Sequence, residues 1–84
     1  MATYEQEELW RAAGALARDK SAMEVLARLE ARYVDDWKRS APEDLVARND
    51  AYHMVRAIAE FRSELAALAA EPSVTQFNRR LKRA

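Results

Sequence analysis

With 84 residues the chain has room for one domain, and a domain of that size buries only roughly 60% of the surface its unfolded chain exposes. Zero cysteine excludes a disulfide framework and any thiolate metal site, a single glycine excludes a glycine-rich phosphate loop, and there is no run of about 18 apolar residues to span a membrane. The formal charge is zero, yet Arg79, Arg80, Lys82 and Arg83 place +4 in residues 73–84 without an acid, so residues 1–72 carry −4 by difference.

One glycine and two prolines leave too few turn residues to separate strands, and with 33% charged residues the composition predicts an all-α fold. Four of the six Ser and Thr residues, Thr3, Ser21, Ser40 and Ser73, are followed three positions later by Gln6, Glu24, Glu43 and Gln76. That is the capping-box spacing, in which the hydroxyl accepts from a free backbone amide while the later side chain reaches back to the cap. Each box predicts a helix start.

The first predicted helix covers about residues 3–18. Leu9, Ala12, Ala13 and Leu16 recur at three- and four-residue spacing beside Trp10, which makes a modest apolar stripe. Gly14 inside it costs about 1 kcal/mol relative to alanine and has two readings, a close approach by another helix, which is favoured, or a frayed helix that is weak in isolation. Glu5, Glu7 and Glu8 suit the positive end of the helix dipole, as the basic residues near position 80 suit the negative end of a last helix. Complementary ends also predict head-to-tail attraction between copies.

The second predicted helix, about 21–39, carries Val25, Leu26, Leu29, Tyr33 and Trp37 on one side and mostly charged residues on the other. Ser40-Ala41-Pro42-Glu43 ends it and opens a third helix, about 42–70, with Pro42 tolerated in the first turn. Leu45, Tyr52, Val55, Ile58, Phe61, Leu65 and Leu68 form its stripe. A short turn between two such helices predicts an antiparallel hairpin. Glu71-Pro72 is expected to stop the third helix, because the residue before proline is pushed out of the α region. Ser73 then opens a short basic helix, about 73–83, too short to be stable alone and therefore expected to dock, protrude or swap between copies. The whole is read as one helical domain, residues 1–84.

Chemistry is sparse along this chain. His53 is the only histidine, without a spaced partner for a metal, and the adjacent Asp35 and Asp36 point about 100° apart on a helix. No nucleophile motif is present, so the reading is non-enzymatic, with no catalytic, cofactor or metal residues. Trp10, Tyr33, Trp37, Tyr52, Phe61 and Phe77 are the candidate interface anchors, since large rigid rings dominate interface energetics. Arg79, Arg80, Lys82 and Arg83 are candidate phosphate contacts for nucleic acid. The acidic opening residues lack the apolar stretch of a signal peptide.

Leu29-Glu30-Ala31-Arg32-Tyr33-Val34-Asp35-Asp36-Trp37-Lys38, followed by Ser40, Pro42, Asp44 and Arg48, resembles small helical-hairpin proteins encoded in tailed bacteriophages and prophages. These share a Leu-Glu-x-x-Tyr-(Ile/Val)-x-x-Trp helix, a short turn with Ser or Thr and Pro, and a long helix with an arginine-rich start. The similarity spans about residues 22–69. Where the family commonly has an aromatic residue near the start of the long helix, this chain offers Ala51 and Tyr52. The resemblance implies a phage or prophage origin, a helical hairpin, and a place in the host cytoplasm or the virion; it implies no site residues. The functional expectation is a self-associating interaction protein, virion- or assembly-related, in a homo-oligomer or larger assembly and without membrane contact. The alternatives are a DNA-packaging module using the basic C-terminal segment and an inhibitor that binds a host protein.

Overall fold

The computed structural model describes residues 2–83, the side chain of Arg83 excepted. It is all-helical, with α1 Tyr4–Arg18, α2 Lys20–Arg39 and α3 Leu45–Arg83 packed together. The third helix has 39 residues, which at 1.5 Å per residue gives about 58 Å and accounts for the 59 Å long axis of the molecule. Helices α1 and α2, with 15 and 20 residues, total about 52 Å and share the length of α3 between them. Each packs against α3 much more than against the other.

Only one of the four predicted capping boxes forms. At α1, the Gln6 amide donates to Thr3 Oγ1 at 3.1 Å and the Thr3 amide donates to Gln6 Oε1 at 2.9 Å. Helix α2 begins instead at Asp19, whose Oδ1 accepts from the Ala22 amide at 3.0 Å, so Ser21 lies inside the helix and Glu24 pairs with Arg28. Ser40 ends α2 rather than starting α3. Its amide donates to the carbonyls of Asp36 and Trp37, and its hydroxyl donates to the Trp37 carbonyl at 2.6 Å. Asp44 opens α3 by accepting from the Ala47 amide at 3.1 Å. Aspartate is among the strongest N-cap residues, and at both junctions it stands at the place where the chain leaves extended or turn geometry.

The larger correction concerns Pro72, which lies inside α3. The helix predicted for 42–70 starts at Leu45 and runs on to Arg83, so the separate basic helix at 73–83 does not exist and Ser73 caps nothing. Proline has no amide to donate to the Leu68 carbonyl, and its ring crowds that carbonyl. The helix nonetheless persists, with α1 packed along its C-terminal part, where Leu68, Ala69, Glu71 and Thr75 are half-buried on either side of the proline. Packing along one face here overrides a local preference.

The core is narrow. Its buried apolar members are Ala13 from α1 and Ala51, Ile58 and Leu65 from α3, and no described side chain is completely enclosed. The three α3 residues are spaced by seven, which is the repeat that keeps one helix face against a partner over several turns. This shifts the expected stripes. Leu9, Leu16, Val25, Leu45, Tyr52 and Phe61 were expected on the packed faces but are exposed, while Gly14 is buried and Trp10 and Ala17 are half-buried.

Contacts between α2 and α3 recede from the turn on both sides. Next to the turn, the Arg48 guanidinium lies 5.3 Å from the Trp37 ring centroid and donates to Ser40 Oγ at 3.5 Å. Further out, Arg62 Nε lies 3.6 Å from Glu30 Oε2, near enough for attraction but too far for a hydrogen bond, and it has no hydrogen-bond partner among the described residues. Both side chains remain more than one-third exposed, so solvent limits such a pair to roughly 0–1 kcal/mol.

Candidate functional site

The six aromatic anchors do not converge. Trp10 is half-buried on α1 beside the C-terminal part of α3, Tyr33 is half-buried on α2 with Arg32 over its ring, and Trp37 sits at the turn under Arg48. Tyr52, Phe61 and Phe77 stand 50–60% exposed along α3. What they share is incomplete cover. Met54, Phe61 and Leu68 follow a seven-residue spacing on α3, flanking the buried Ala51–Ile58–Leu65 row, and Val74, Phe77 and Leu81 form a second exposed set towards its end.

The surface total agrees with that impression. A compact monomer of 9.6 kDa exposes about 5,100 Å² by the usual mass scaling, whereas this chain exposes 6859 Å². Its radius of gyration is 17.9 Å, against about 12 Å for a compact domain of this length. Both excesses follow from the elongated shape, 59 × 25 × 21 Å.

Charge is arranged differently from the expectation of complementary ends. Because α1 lies along the C-terminal part of α3, the acidic start of the chain and its basic end occupy the same region of one molecule, with Glu7 and Arg79 lining one cleft. Head-to-tail attraction between copies therefore loses its driving asymmetry. Arg79, Arg80 and Lys82 are exposed on the last turns of α3; Arg83 closes the helix, and its side chain lies outside the described residues.

The cleft itself, about 530 Å³, was not foreseen. From α1 it is lined by Glu7, Trp10, Arg11, Gly14 and Arg18, whose spacing of three, one, three and four places them on one helical face. Pro72, Thr75, Gln76 and Arg79 supply the facing wall from α3 by the same rule. Gly14 serves a local purpose here rather than the expected approach of another helix. The three heavy atoms nearest to where its Cβ would stand all belong to the Arg18 guanidinium, the closest at 3.2 Å, so the arginine folds back over the space the glycine leaves.

His53 is exposed, and its ring centroid lies 6.0 Å from that of the neighbouring Tyr52. Among the described residues, no group of three His, Asp or Glu side chains is placed to hold a metal, and no helix is long and apolar enough to cross a membrane. Comparison with protein-family models, curated proteins and solved structures finds no match to the chain.

Proposed function

We propose that this chain is a non-enzymatic helical interaction protein that associates with further copies of itself through α3, with α2 and α3 forming an antiparallel hairpin as the assembly unit. The observation that carries this reading is the row Met54, Phe61 and Leu68, large apolar side chains left partly open at seven-residue spacing on a 39-residue helix. Such a row is what a second helix pair covers in a four-helix bundle. The phage resemblance is compatible with a virion or assembly role and adds no residue to the argument.

Light scattering over a concentration series tests it. The unaltered chain is expected at a multiple of 9.6 kDa. Phe61→Glu is expected to weaken association by more than about a hundredfold, since a two-fold interface loses the burial of one phenyl ring from each copy, about 3 kcal/mol together. A strict monomer from micromolar to millimolar concentration contradicts the proposal.

A second reading, nucleic-acid association, is favoured by one observation: Arg79, Arg80 and Lys82 are all exposed on the last turns of a continuous helix. Binding to random duplex DNA should then weaken steeply with salt, losing one unit of slope for roughly each basic residue replaced by alanine. Absence of affinity at low salt removes this reading.

A further inference from the structure

The α1–α3 cleft combines features that neither self-association nor a general basic surface requires. Its volume of about 530 Å³ lies within the range of small-molecule sites. Arg11, Arg18 and Arg79 line it, with Glu7 as the one acidic residue of the lining. Arg11 is engaged by Glu8. Arg18 and Arg79 have no carboxylate within 4.0 Å among the described residues, so both keep their forked donors available to an anion.

The geometry points to a binding site for an organic phosphate that carries a planar ring, of about the size of a mononucleotide. The phosphate is met by Arg18 and Arg79, since guanidinium pairs with phosphate through two parallel hydrogen bonds and is less strongly hydrated than an ammonium group. The ring is met by Trp10, half-buried in the same cleft, whose indole offers a stacking face. Thr75 and Gln76 on the facing wall supply neutral donors and acceptors for a sugar or base edge. Gly14 matters because it seats the Arg18 guanidinium: a methyl group there would stand 3.2 Å from its nearest nitrogen. The same chemistry is presented by a free nucleotide and by a nucleotide within a single strand.

The test is titration of the isotope-labelled full chain with adenosine monophosphate, adenosine, inorganic phosphate and a short single-stranded oligodeoxynucleotide, followed through the Trp10 indole and the Gly14 and Gln76 amides. Adenosine monophosphate should move all three saturably, with adenosine and inorganic phosphate each weaker by about tenfold or more, as expected for loss of a charge-assisted contact or of the stacked ring. Arg18→Ala and Arg79→Ala alter exposed side chains, and each should weaken binding about tenfold at unchanged helicity, with Arg79→Lys intermediate. If the oligonucleotide moves the same three signals at lower concentration than the mononucleotide, the ligand is a nucleotide within a strand. The site is overturned if no phosphate-bearing ligand moves Trp10, or if adenosine monophosphate binds Arg18→Ala and Arg79→Ala as it binds the unaltered chain.

Discussion

Ile58→Ala is expected to lower the thermal midpoint by about 10 °C or more and to leave the chain close to its unfolding transition at room temperature. Ile58 is one of four buried apolar side chains and the largest of those together with Leu65, at the centre of the Ala51–Ile58–Leu65 row. Removing a buried isoleucine side chain to its Cβ costs about 2–5 kcal/mol, the lower part of that range applying where neighbours can collapse into the gap. Collapse is easy in a molecule one helix pair thick, so about 2–3 kcal/mol is the expectation. A core of this size rarely supplies more than about 3–5 kcal/mol in total, so the loss is most of what holds the helices together. The matching control is Val46→Ala, at 73% exposure, expected within about 0.5 kcal/mol of the unaltered chain. Equal effects of the two substitutions in thermal unfolding followed by circular dichroism would show that the seven-residue row is not the core. If the chain self-associates as proposed, the midpoints must be compared at one protein concentration, because association adds to the stability of the folded state.

Helix content and the position of the first two helices were legible in the sequence, and the exact caps were not. Thr3-x-x-Gln6 marks a true start, with Thr3 Oγ1 accepting from the Gln6 amide and Gln6 Oε1 accepting from the Thr3 amide. Ser21-x-x-Glu24 has the same letters, but Asp19 stands two residues earlier and takes the cap, after which Ser21 is simply carried into the first turn. Ser40-x-x-Glu43 fails for a different reason: the turn needs Ser40 to close α2, and Asp44 is better placed to open α3. The spacing rule recognises a pair of side chains, while the fold selects among all residues able to accept at a given break.

Burial was harder to read than helicity because several rows of apolar residues wind around α3. Leu45 and Tyr52 are spaced by seven, and so are Phe61 and Leu68, just as Ala51, Ile58 and Leu65 are, and only contact with α1 and α2 distinguishes the rows. The choice of large side chains as anchors therefore missed that alanine takes two of the four buried core positions, Ala13 and Ala51. The cleft had a signal that was available: Trp10, Arg11, Gly14 and Arg18 share one face of α1 at helical spacing. Its other wall was hidden, since placing Gln76 and Arg79 opposite them requires α3 to continue past Pro72.

Pro72→Ala is accordingly expected to stabilise the fold, by about 2 kcal/mol. A proline in a helix interior costs about 3 kcal/mol relative to alanine, through the missing amide and the clash with the carbonyl four residues earlier, here that of Leu68. Against this, alanine releases backbone freedom in the unfolded chain, worth about 0.4–1 kcal/mol in the opposite direction. The side chain at 72 is itself exposed, so little packing is lost. Helicity and stability together separate two situations. In a helix that is already continuous from Leu45 to Arg83, circular dichroism of the folded state should hardly change while the thermal midpoint rises by about 8–16 °C. If instead the chain broke at Glu71 and left the last turns loosely formed, the substitution would add helical signal as well. A fall in stability would mean that the proline ring contributes contacts against α1 exceeding its backbone penalty. Because Pro72 also lines the cleft, the same variant shows whether ligand binding depends on the ring or only on the arginines that flank it.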